Sequence, residues 1–251
     1  MTTERGTEEL DLHQYAKDFA TELTETLQGV LPGTPSFHAV HQGQRIWVTT
    51  VSDSGDGLPT QKKIDLLING KAEMSMAVEY FCCWDQAGQF LAVDNSAVKV
   101  FCRGQQEPLF RYEYVRKHGQ WPPAAHIQVH AHRDEIAWIQ RLAASGKPAA
   151  MTRKDSVPRL SQIHFPVGGH RMRPGLEDVL LMIVREFTID TVDGWDEALQ
   201  TGIRLWRHKQ VRAAVRDAPE EAADVLRQLG YQVTVPSGNC KPSGEVKLYL
   251  P

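Results

Sequence analysis

The chain has 251 residues, a formal net charge of −3 and a hydrophobic fraction of 41%. That is enough for one large domain or two modest ones, and the near-neutral balance excludes any global attraction to nucleic acid or to an anionic membrane surface. No apolar run approaches the roughly 20 residues that span a bilayer, and the acidic, polar N-terminal segment does not read as a signal peptide. The four cysteines form no Cys-x-x-Cys pair, so free thiols in a reducing cytosol are expected.

In chain order, Thr7 can cap a helix along which Leu12, Tyr15, Ala16, Phe19, Leu23 and Leu27 recur at helical spacing. A break from Gly29 to Pro35 precedes a strand over Arg45–Val51 and a polar loop. Ile64, Leu66 and Ile68 alternate up to Asn69-Gly70, a two-residue hairpin signal. The next strand alternates Ala72, Met74, Met76, Val78, Tyr80, Cys82 and Trp84 with polar partners. Short strands are expected at Phe90–Val93, Val98–Cys102, Leu109–Val115 and Ala125–Ala131. The sum is an α+β fold, an antiparallel β-meander of about six or seven strands with flanking helices.

Asp134 can cap a further helix through Leu142, and the composition of residues 145–158 marks a connection. The division falls at residues 1–146, helix plus sheet, and 147–251, a helical C-terminal region. There Pro174 suits a helix start, and Leu176, Val179, Leu180, Ile183, Val184 and Phe187 form an apolar face. Longer helical patterns run from Trp195 to Arg216 and from Pro219 to Leu229, and Tyr231–Val235 with Val246–Leu250 suggests a short terminal β-hairpin.

Candidate chemistry concentrates between Leu109 and His132. On the first strand Phe110, Tyr112 and Tyr114 face one way and Arg111 and Glu113 the other. On the second, Ile127, Val129 and Ala131 read as core positions, leaving His126, Gln128, His130 and His132 on an exposed polar face. His130 and His132 would lie about 6.5–7 Å apart and can share one ion. A zinc site needs a further ligand such as Glu113 or His164, which the spacing does not demand, so no metal and no cofactor are expected. A metal-free acid–base site fits the same stretch. Arg111 would grip phosphate, Tyr112 or Tyr114 would stack a base or donate a proton, Glu113 completes the group, and His126 or His130 would act as acid or base. Such a group suffices for RNA, whose 2′-hydroxyl is an internal nucleophile. The competing reading is a solvated strand face with an ordinary cross-strand ion pair.

Two further features are cationic. In residues 164–175, Gly168 and Gly169 allow a sharp turn before a helix, with Arg171 and Arg173 beside it, an arrangement that suits an anion or serves as a structural loop. No Gly-Lys-Ser/Thr ending follows, so a nucleoside triphosphate is not indicated. Arg204, His208, Arg212 and Arg216 recur every four residues along the longest helix, as a phosphate-contacting stripe or a solvated face.

The segments LFRYEY, PAAHIQVHAH and IHFPVGGHRMRPGLEDVL together resemble a group of actinobacterial proteins of about this length, over most of residues 45–235; that resemblance brings no activity with it. Residues 109–132 are also similar to the RYDN-plus-histidine pattern of small RNA-targeting toxins of bacterial toxin–antitoxin pairs. Glu113-Tyr114 stands where that pattern has Asp-Asn, keeping the acid and not the amide. The similarity implies a site at Arg111, Tyr112, His126 and His130. The expectation is a cytosolic, toxin-like protein that interacts with nucleic acid, with metal-independent RNA cleavage as its activity. The alternatives are a non-catalytic module that binds a protein partner in a mobile-element or defence system, and a metal-dependent hydrolase using His130 and His132. Oligomeric state is not legible.

Overall fold

The computed structural model describes residues 11–52, 59–85, 87–116, 122–131, 160, 165–168, 170–234 and 248. Among them the strands are β1 Phe37–Gln42, β2 Arg45–Ser52, β3 Thr60–Gln61, β4 Ile64–Ile68, β5 Lys71–Trp84, β6 Leu91–Cys102, β7 Phe110–Val115, β8 Ala125–Val129 and β9 Phe165–Pro166. The helices are α1 Leu12–Gln28, α2 Leu176–Phe187, α3 Trp195–Asp217 and α4 Pro219–Gln228. The protein is thus α+β, with one sheet of order β1-β2-β5-β6-β7-β8-β9, and every strand pair is antiparallel. No helix among the described residues is long and apolar enough to cross a membrane.

β5 organises the sheet because its 14 residues exceed the length of any neighbour. One edge takes β4 along its first half, Ile64 opposite Met76, and β2 along its second, Ile46 opposite Cys82. The other edge pairs with β6 from Met74 to Trp84. The period-two pattern sends Met74, Met76, Val78, Tyr80 and Cys82 to one face, all buried. α1 lays Ala16, Ala20, Leu23 and Leu27 on that face, and α2 adds Leu176, Val179, Leu180 and Ile183 to the same buried cluster. Burial pushes the Cys82 thiol up to about 12, so it is an inert core group.

Several boundaries differ from those expected. The helix expected from Thr7 is described from Leu12, after Asp11, whose carboxylate accepts from the His13 N–H at 2.9 Å. Thr7 itself, the helix expected from Asp134 and the connection at 145–158 lie outside the described residues. Phe37–Gln42 is a strand although no strand was expected there; it closes on β2 through a two-residue turn in which Gly43 has φ +62°. The two strands expected at 90–93 and 98–102 are one. The polar Asp94 between them sits at a register shift, with Val93 opposite Cys82 and Asn95 opposite Phe81, and pairs with Arg45 at 3.1 Å. Residues 231–234 and Leu248 are not strand, and the other residues of the expected terminal hairpin lie outside the described residues.

The Asn69-Gly70 hairpin turn has the positive φ angles its sequence demands, 51° and 75°. It is tied to the C-terminal half by Asp190, whose carboxylate accepts from the Asn69 N–H at 3.0 Å and the Gly70 N–H at 2.6 Å. The Asp190 N–H in turn donates to the Leu67 carbonyl at 2.7 Å. Asp190→Ala removes two charge-assisted bonds, and thermal denaturation should show a loss of about 1–2 kcal/mol.

Candidate functional site

Strands β7 and β8 face each other with Glu113 opposite His126 and Arg111 opposite Gln128. This register places four polar side chains on the sheet face away from the helices. Arg111 Nε and His126 Nε2 each lie 3.3 Å from Glu113 Oε2. Arg111 Nε also donates to Gln128 Oε1. His126 Nδ1 lies 2.8 Å from the Pro123 carbonyl, which only accepts, so Nδ1 carries a proton; the Glu113 carboxylate also only accepts, so Nε2 donates to it when the ring carries a second proton. On neighbouring strands Lys99 pairs with Glu79 at 2.9 Å and extends the charged row.

The carboxyl of Glu113 is the hinge of this group. Burial alone would raise its pKa, but the hydrogen bond from His126 and the charges of Arg111, His126 and Lys99 outweigh burial and hold it below the ordinary glutamate range. The group is graded in exposure, with side chains 31% exposed at Arg111, 22% at Glu113 and 2% at His126.

This corrects the expected exposed histidine face. His126 and Gln128 are buried, while Ile127 and Val129 on the opposite face are only half-buried. The alternation is present, but the polar side chains of β8 are the more buried ones, so polarity does not report exposure there. His130 does not join the group: its Nδ1 lies 2.9 Å from Glu107 Oε1 at the far end of the strand. Tyr112 points to the helix-covered face, where it packs against Phe110. Among the described residues no three His, Cys, Asp or Glu side chains could share a metal ion; His132 and His164 lie outside that set.

No protein-family model, curated protein or solved structure matches this chain. The functional reading therefore rests on geometry and chemistry alone.

The glycine-arginine stretch also differs from a surface anion loop. Gly168 has φ +76°, a Cβ there would collide with the Met172 carbonyl, and its own carbonyl accepts from the Met172 N–H at 2.9 Å. It is a tight turn whose backbone is already engaged. Gly169 lies outside the described residues. Arg171 is paired with Asp217, so its charge is not spare. Arg173 is 8% exposed and lies under the sheet, its guanidinium 3.8 Å from the Tyr114 ring centroid and 5.3 Å from that of Trp206. Tyr114 also meets His170, hydroxyl to Nδ1 at 3.1 Å. The two stretches singled out in the sequence thus touch, through Tyr114, His170 and Arg173.

One ionisable group here escaped the sequence reading. Glu177, 8% exposed, carries a carboxyl raised to about 7, first by burial and then by Asp178, against the lowering effects of its own backbone N–H, Lys209 and Arg207. Its signal was available: Glu177 falls three and seven residues before the buried Leu180 and Val184, on the same helical stripe.

On α3, Arg204, His208 and Arg212 are exposed and make no ion pair with any described residue. Arg216 stacks over Phe90 at 4.6 Å, and Arg207 is paired with Asp178 at 2.6 Å.

Proposed function

We propose that the chain is a toxin-like, nucleic-acid-interacting protein that cleaves RNA without a metal ion, using Glu113 and Arg111. The observation that carries this reading is the convergence of a guanidinium, a carboxylate and an imidazole on β7 and β8, with Glu113 at their centre. A ribose 2′-hydroxyl needs a base to take its proton as it attacks the adjacent phosphorus, and a cation to meet the charge on the phosphate oxygens; the P–O5′ bond breaks as the O2′–P bond forms, and the departing 5′-oxygen takes its proton from water. Glu113, ionised at neutrality and partly exposed, is the base. Arg111 presents the planar fork that suits phosphate. His126 has Nδ1 committed to Pro123 and Nε2 turned to Glu113, so it is a positioning residue that orients the carboxylate. The unpaired cations Arg204 and Arg212 supply sequence-independent phosphate contacts.

Glu113→Gln keeps the size and hydrogen-bonding reach of the side chain and removes the base. Cleavage of a single-stranded RNA should fall by about 10²–10⁴-fold while the melting curve stays cooperative. Arg111→Lys should also reduce cleavage, because a point charge does not reproduce the fork. Full activity in Glu113→Gln would contradict the assignment.

A second reading, a non-catalytic module for a protein partner, is favoured by α4. That helix buries no residue and exposes Val225, Leu226 and, just beyond its end, Leu229 at 70%. Under this reading the wild-type protein has no turnover, and polar replacement of Val225 and Leu229 abolishes complex formation.

A further inference from the structure

We propose that the pocket between α1, α2, α3 and the helix-covered face of the sheet binds a small carboxylate, paired to the guanidinium of Arg173. Glu113 and His126 are among the residues that line this space, but its proposed anchor, Arg173, makes no ion pair with Glu113 and belongs to the Tyr114–Trp206 stack.

Arg173 supplies the first argument. It is 8% exposed, and its one hydrogen bond among the described residues is from Nη1 to the His170 carbonyl. No carboxylate of a described residue lies within ion-pairing distance of it. A guanidinium has five N–H donors, and an uncompensated charge in such a place is costly. The rings of Tyr114 and Trp206 hold it but supply no acceptor. A carboxylate supplies two, in the geometry the fork prefers.

The space itself supplies the second. It amounts to about 50 Å³, room for about three or four waters, which is the size of acetate or propionate. Phe19, Leu23 and Val98 among its walls are apolar and suit a short alkyl tail, and Tyr80 and Tyr112 line it as well. Neither tyrosine hydroxyl makes a hydrogen bond with any described residue, so both remain as donors to a second ligand oxygen.

Glu177 lines the same space without pairing to Arg173. With a carboxyl raised to about 7, it is a hydrogen-bond donor in mild acid and a repelling anion in base. The groups that face it are Asp178 on α2, Arg207 and Lys209 on α3, Tyr80 on the sheet, and Glu22 of α1 through its pairing with Lys209. Carboxylate binding should therefore be tighter at pH 6 than at pH 8, and binding should take up a proton.

The test uses the full chain, with sodium acetate, sodium propionate and inorganic phosphate titrated at matched ionic strength at pH 6 and pH 8. The readouts are melting temperature and calorimetry. Acetate or propionate should raise the melting temperature saturably, with an affinity about tenfold weaker at pH 8. Arg173→Met should fold with an equal or higher melting temperature than wild type, since it removes an unpaired buried charge, and should show no response. Glu177→Gln should bind with the same affinity at both pH values. Three results would overturn the proposal: no saturable response to either carboxylate, an undiminished response in Arg173→Met, or a response to phosphate alone. If Arg173→Met does not fold, Glu177→Gln decides, and a tenfold pH dependence that survives in it overturns the proposal.

Discussion

Replacing His126 by alanine should lower the melting temperature by roughly 6–12 °C, whereas the same change at His130 should move it by less than about 3 °C. His126 is 2% exposed, bonded to the Pro123 carbonyl at 2.8 Å and set 3.3 Å from Glu113. Its removal leaves a buried carbonyl without that donor, a cavity in place of the ring, and a half-buried carboxylate with one partner fewer. Together these losses come to about 3 kcal/mol. Among the described residues His130 has the largely exposed Glu107 as its charged partner, and surface ion pairs contribute about 0–1 kcal/mol. The Glu113 contribution has a defined pH window. Its folded pKa lies below its unfolded value, so the stabilisation is fully present above the unfolded value and is lost as pH falls through the folded one. Acid denaturation of wild type should accordingly steepen below about pH 4, and Glu113→Gln should lack that component.

Glu177→Gln should make the protein more stable at pH 8, by up to about 3 kcal/mol, and almost unchanged at pH 4. The sign follows from the direction of the shift. Burial raises this carboxyl from 4.5 to about 7, so the folded state binds a proton that the unfolded state has released. Stability then falls as pH rises between the two values and is lowest above the higher one. Glutamine is neutral throughout and fills nearly the same volume, so the slope disappears. Chemical denaturation at a series of pH values measures it directly, and parallel curves for wild type and variant would contradict the assignment.

These two residues also show what was legible in the sequence. The long β5 strand, its Asn-Gly turn and the apolar stripes of α1 and α2 follow from periodicity, because each pairs one buried face with one polar face. β8 breaks that logic. Its histidine and glutamine alternate with apolar residues as a half-exposed strand would, yet both are buried, so polar alternation there marks a buried hydrogen-bonded group and not a wet face. The pairing of Arg111 with Glu113 was visible from their shared face. Their meeting with His126 depended on the β7–β8 register, which the residues outside the turn do not specify. Arg173 was expected to serve an anion site or a structural loop; arginine is almost never buried without a partner, and only tertiary packing under Tyr114 and Trp206 puts it inside. The one-residue spacing between Arg171 and Arg173 concealed opposite fates, one in an ion pair with Asp217 and the other in the core.

The most direct test of the account is cleavage of an end-labelled single-stranded RNA by the full chain in excess chelator, beside the same strand carrying 2′-deoxyribose. The account predicts cleavage of the RNA alone, products ending in a 2′,3′-cyclic phosphate, and a rate level from pH 8 to pH 5, since an ionised Glu113 and not a free histidine takes the proton. Cleavage of both strands, or none of either by folded protein, would contradict it.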